Sequence, residues 1–156
     1  MPPQPNRNHD NGYKVFIVKA TVRTGLTGEH SMMVAESHLV PALYPEFETF
    51  QIMPPVFATG FLVGFIEWAC VETLNPHLDD YEQSLGTEID ISHEAATPAG
   101  QRVTATVECV GVEGRRLSWA VEVRDEKNLI SRGRHERFVI DRERFMASLG
   151  GSHEPL

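Results

Sequence analysis

Three polar residues, Thr59, Glu67 and His93, stand where the surrounding sequence is apolar or alternates with apolar positions. Glu67 is the only charged residue between Glu48 and Glu72, set in the run VFATGFLVGFIEWACV (residues 56–71). A carboxylate inside an apolar helix reaches water or a partner, or it costs several kcal/mol of desolvation. The plain alternative is an arginine partner or a solvent-exposed gap. The chemical alternative is a carboxylate held in a pocket, its pKa raised by burial, acting as general base or nucleophile.

His93 ends the alternating stretch SLGTEIDISHEA, sharing a face with Leu85, Thr87, Ile89 and Ile91 while Gly86, Glu88, Asp90 and Ser92 take the other. On that face it points toward the apolar helix. Alone it reads as a satisfied core histidine; beside an isolated acid it is a candidate proton carrier. Thr59 opens the helix, where its hydroxyl can cap the first turn or meet developing negative charge. Cys70, one turn beyond Glu67, could in principle pair with His93 as a thiol nucleophile, although buried cysteines are usually packing residues. The remaining histidines show no HxxxH or Cys/His ligand spacing, and no P-loop or GxGxxG occurs, so neither a metal nor another cofactor is expected.

Elements must hold these groups in place. The helix runs from Thr59 to about Leu74, stopped by Pro76, and its apolar residues cover nearly the whole circumference, as in a helix wrapped by protein. Gly60 and Gly64 form a GxxxG pair expected to let it approach a sheet. Extended segments are expected at Tyr13–Gly25 and Glu29–Val40, with a proline- and aromatic-rich loop or broken helix between Pro41 and Pro55 that can cover something. From Ser84 onward the period is two. Val103, Ala105, Val107 and Cys109 point inward; a tight Glu113-Gly114 turn leads to Leu117, Trp119, Val121 and Val123, also inward. A last strand, LISRGRHERFVI, precedes a short polar helix. One apolar helix followed by amphipathic antiparallel strands implies an α+β domain whose sheet wraps the helix, the hot-dog pattern.

Composition limits the rest. At 156 residues, 41% hydrophobic and 23% charged, the chain reads as one globular domain spanning residues 26–146, with tails at 1–25 and 147–156. The polar N-terminus has no apolar core of a signal peptide, and the opening helix is too short and too interrupted to span a bilayer. Net charge is −8, which argues against nucleic-acid binding, although seven of the fourteen basic residues, six of them arginines, fall from Arg115 to Arg137 and leave room for a local anion site. Two cysteines without CxxC spacing fit reduced core thiols and a cytoplasmic setting.

The motifs VFATGFLVGFIEWACV, SLGTEIDISHEAATPAG, VEGRRLSWAVEV and GRHERFVI together resemble the fluoroacetyl-CoA-specific thioesterase family, hot-dog enzymes that hydrolyse small acyl-CoA thioesters, over about residues 28–145. The resemblance implies a catalytic threonine at Thr59, glutamate at Glu67 and histidine at His93. It implies further that the backbone of Gly86 approaches the thioester, that Arg137 serves the substrate, and that a homodimer completes each site across its interface. The lid position it implies is Met53, with Phe47 and Phe50 nearby, and Met53 and Phe50 are the residues expected to cover the acyl group. Where the fluoroacetyl enzyme carries a phenylalanine this chain has Met53, which fills space but is less shape-specific than a ring; the departure bears on fluoroacetyl selectivity more than on short-chain thioester hydrolysis. Two other readings stay open: a hot-dog hydratase or dehydratase, which would leave the thioester intact, and a non-catalytic acyl-CoA binding module.

Overall fold

The computed structural model describes residues 18–151. Five antiparallel strands, β1 (Thr27–Met33), β2 (Glu82–Ile91), β3 (Arg102–Glu113), β4 (Arg116–Arg124) and β5 (Leu129–Asp141), form one sheet in the order β1-β3-β4-β5-β2. Two short helices, α1 (Val40–Leu43) and α2 (Glu48–Gln51), precede the long α3 (Thr59–Leu74), and α4 (Arg142–Ser148) follows β5. The β3–β4 hairpin closes through Gly114 and Arg115, with Glu113 facing Arg116. Asp141 caps α4 by accepting from the Arg144 N–H.

Alternation is obeyed along β4 and along β3 as far as Cys109, where a register shift at Val110 moves the inward position to Val112. Val103, Ala105, Val107, Cys109, Leu117, Trp119, Val121 and Val123 are all buried against α3, which contributes Leu62, Phe65, Ile66, Ala69, Cys70 and Leu74. This is the curled sheet around a helix that the alternating strands and apolar helix require.

Four local expectations are corrected. Of the strand expected at residues 13–25, residues 13–17 lie outside the described residues and 18–25 form turns; Val18 and Val22, on the tail side of the boundary expected at residue 26, belong to the core. The segment 29–40 is extended only to Met33, after which it turns. Helix α3 is not enclosed on all sides within one chain, because the sheet covers one face and the stripe Gly60, Gly64, Trp68 and Glu72 remains exposed. The close approach of helix to sheet falls at Gly28 of β1, where a Cβ would run into the Thr73 side chain, and not at Gly64, which has open space beside it.

Candidate active site

Helix α3 carries two polar groups at different heights. Thr59 is its first helical residue, Ala58 taking the N-cap position expected of Thr59. The segment before it is pinned on both sides: the Val40 N–H donates to the Val56 carbonyl, the Phe57 N–H to Thr97 and the Ala58 N–H to His38. The Thr97 tie draws the loop after β2 toward the helix start. His93 lies in that loop and not on the strand, held by the Ser92 N–H on the Arg132 carbonyl and the Glu94 N–H on the Ile130 carbonyl. As a result Thr59 Oγ1 and His93 Nδ1 are hydrogen-bonded at 2.8 Å. Burial pushes the His93 pKa below the ordinary histidine value, which favours the neutral ring. Its Nε2 is buried without a hydrogen-bond partner, so no carboxylate of the described residues orients the ring from behind.

Glu67 sits eight residues further along, about 12 Å up the helix axis at the usual rise per residue. Its carboxylate lies against Gly86, where any Cβ would collide with Oε1, and it takes a hydrogen bond from Arg137 Nη1 at 3.2 Å. The side chain keeps 41% of its surface, so the arginine partner and open gap foreseen as the plain alternative are both present, and the deep burial is not. Glu67 also borders a cleft of about 280 Å³ lined by Val63, Gly86, the residues of the β2 irregularity and His135.

That irregularity accounts for the placement of Gly86. The register of β2 on β5 passes from Gly86↔Arg137 directly to Glu88↔Glu136, leaving Thr87 as an extra residue. Before the bulge Ser84 and Gly86 face the helix; after it Ile89, opposite His135, and Ile91, opposite Gly133, do so. The sequence alternation put Leu85 and Thr87 on the inner face and Gly86 on the outer. The bulge reverses that part and leaves the rest.

Arg137 is 4% exposed, and four of its five N–H donors are engaged: Nε with Ser84 Oγ at 2.8 Å, Nη2 with the Ser84 carbonyl at 2.8 Å, and Nη1 with Glu67 at 3.2 Å and with His135 Nε2 at 3.0 Å. A guanidinium so placed holds the Glu67 carboxylate. Cys70 is fully buried and its thiol is pushed up to about 12 chiefly by desolvation, with no bond to His93 among the described residues, so the thiol nucleophile is set aside. Phe50 belongs to a ring cluster with Tyr44 and Phe47, centroids 5.8 and 6.5 Å away, and Met53 follows it half exposed. This segment joins the helix start through Leu43, which lies over Gly60. Sequence reasoning missed Ser84 and His135. The signal for His135 was available, since it lies two residues before Arg137 and so on the same face of β5.

A five-stranded antiparallel sheet curled over one helix, with a threonine–histidine pair and an arginine-held glutamate, defines a hot-dog protein of the thioesterase superfamily. A solved thioesterase superfamily member from Thermus thermophilus shares the fold with a TM-score of 0.75 at 25% identity, covering 85% of this chain and 93% of its own. The model of the fluoroacetyl-CoA-specific thioesterase family, FlK, matches residues 39–143. A fluoroacetyl-CoA thioesterase from Streptantibioticus cattleyicolor is 48% identical over 132 residues, 85% of this chain and 95% of that one. A solved structure of the fluoroacetyl-CoA thioesterase FlK, 47% identical, superposes with a TM-score of 0.81 over 85% of this chain and 98% of its own. The chain belongs to the fluoroacetyl-CoA-specific thioesterase family.

Proposed function

We propose that the protein hydrolyses short-chain acyl-CoA thioesters to the free acid and CoA, with fluoroacetyl-CoA the substrate that its relatives single out for testing. The observation that carries the reading is the pairing of a neutral, Thr59-bound His93 with a carboxylate held at one oxygen, in a chain 48% identical to a fluoroacetyl-CoA thioesterase. Glu67 supplies the electron pair that forms the new C–O bond, either directly or through a water whose proton it takes. The carbonyl π pair moves to oxygen, where the Thr59 hydroxyl and the first N–H groups of α3 favour the oxyanion. As the carbonyl re-forms the C–S bond breaks and CoA leaves as the thiolate. On the water route the proton that Glu67 took is relayed through the neutral His93 imidazole to the sulfur. On the direct route a water that gives its proton to His93 cleaves the Glu67–acyl anhydride and frees the acid, His93 then passing that proton to the sulfur.

The 12 Å between Thr59 and Glu67 on one helix is too long for both to reach one carbonyl carbon. We therefore assign each site to two copies of the chain, Thr59 and His93 from one and Glu67 from the other. The exposed stripe of α3 and the apolar groove of Met32, His38, Phe61, Gly64, Phe65 and Trp68 beside it support that homodimer. The described residues include no helix long and apolar enough to cross a membrane, and both cysteines are free, which supports a reducing cytoplasmic setting. Phe50 and Met53 would cover the acyl group, with Gly86 letting the thioester approach.

Release of free thiol from a panel of acyl-CoAs, acetyl-CoA and fluoroacetyl-CoA included, tests the reading. Glu67→Gln should lower turnover by roughly a hundred- to ten-thousand-fold while the protein stays folded, and Cys70→Ala should retain it. An altered acyl chain with its thioester intact would make the protein a lyase; binding without turnover would make it a sequestering module.

A further inference from the structure

Arg137 carries five N–H donors, yet it meets the Glu67 carboxylate through one bond only. Two donors, Nε–H and one Nη2–H, are spent on Ser84, and the second Nη2–H has no hydrogen-bond partner among the described residues. What occupies the remaining Nη1 hydrogen is His135, 2% exposed on β5. Its tautomer follows from its partners. His135 Nδ1 lies 2.7 Å from the Glu88 carbonyl, which can only accept, so Nδ1 carries the proton and Nε2 is the bare nitrogen that receives the Nη1–H.

We propose that His135 is a positioning residue for the Glu67 carboxylate: by taking one Nη1–H of Arg137 it divides the guanidinium, so that Glu67 is held through Oε1 alone and Oε2 stays available to the reaction. An arginine with its end free would grip a carboxylate by two parallel bonds, which fixes both oxygens and draws off their electron density. The bulge at Thr87 belongs to this device, since it turns Gly86 and Ile89 to one face and brings the Glu88 carbonyl onto His135. Neutrality of His135 is built in. Desolvation holds its pKa below the ordinary value, against the bond to the Glu88 carbonyl, which raises it; Arg137 lowers it further, and Glu67 on α3 and Glu136 on its own strand pull the other way.

The role rests on the thioesterase reading, and the experiment separates the two. In the full-length protein, His135→Leu removes the acceptor, and His135→Gln restores one with a side-chain amide oxygen. His135→Leu should lower kcat at least tenfold with KM within about twofold of the parent, as expected when an interaction made in the transition state is disturbed. His135→Gln should recover most of that loss. Carbon-13 resonances of labelled glutamate carboxyls, with Glu67 assigned by its absence in Glu67→Gln, should show the Glu67 signal moved in His135→Leu and close to its parent position in His135→Gln. A parent that hydrolyses acyl-CoA alongside a His135→Leu of equal kcat overturns the proposal and leaves the thioesterase reading intact. If the parent hydrolyses nothing, that reading fails, and an unmoved Glu67 resonance then overturns the positioning role independently. Should His135→Leu not fold, His135→Gln decides: kcat and resonance at parent values support the division of Arg137, and a tenfold loss overturns it.

Discussion

At the scale of single residues, Glu67 is set by what surrounds its two oxygens. Gly86 is the neighbour with no spare room: a Cβ there would collide with Glu67 Oε1 and come within 3.0 Å of His135 Cε1 and 3.5 Å of Arg137 Nη1. Gly86→Ala should therefore push the carboxylate aside and lower acyl-CoA turnover by roughly a hundredfold, the scale of an ångström misplacement. Because position 86 is exposed, the melting temperature should hardly change; parent-like kcat would show that the contact is not felt. The two site histidines make a second prediction. Burial holds both His93 and His135 below the ordinary histidine pKa. Unfolding frees them to titrate near the usual value of about 6.5. Between the lowered and the ordinary values the unfolded chain binds more protons, so their stability contribution is intact above about pH 6.5 and is lost as pH falls through the folded values. Melting temperatures taken from about pH 7.5 to 5, at fixed protein concentration, should fall more steeply in the parent than in His135→Gln. Equal slopes would remove His135 from the acid response.

Elements meet closely where β1 crosses α3. Thr73 donates to the Ala69 carbonyl at 2.8 Å and shares a hydrogen bond with His30 Nε2 at 3.0 Å, so its side chain is fixed from two sides and lies where a Cβ on Gly28 would fall. Gly28→Ala must lift the helix from the strand or break those bonds. The expected loss is about 1–3 kcal/mol, the usual range for overpacking, read as a lower denaturant midpoint with unchanged slope. A midpoint equal to the parent's would mean that the helix shifts there without strain. The opposite end of α3 is held by backbone ties to Val56, Phe57 and Ala58, which set the helix start and with it the Thr59–His93 pair.

For the whole molecule the governing quantity is the length of α3 between its two polar groups. If each site draws Thr59 and His93 from one copy and Glu67 from the other, a mixed dimer of one Glu67→Gln chain and one His93→Ala chain contains one site with both defects and one with none. Co-expressed under two affinity tags and purified through both, that dimer should show about half the parent's turnover, whereas either homodimeric variant should be nearly inactive. Mixed dimers as inactive as the homodimers would confine each site to a single chain.

The sequence by itself determined the elements and the candidate groups. Period-two alternation on β3 and β4, the apolar run of α3 with its isolated carboxylate, and the motifs around Thr59, Glu67 and His93 were all legible, because each depends on residues close together in the chain. Only the tertiary structure decided what those groups meet. The bulge at Thr87 reverses one half of β2, the loop after β2 carries His93 to Thr59, and Arg137 turns inward to Ser84, His135 and Glu67. The glycine that seats the helix is Gly28 on a distant strand, and not a member of the helical GxxxG pair. The physical reason is common to all four. Periodicity reports which residues share a face of one element, while register, bulges and the partner of a charge are set by backbone hydrogen bonds and contacts between segments that lie far apart in sequence.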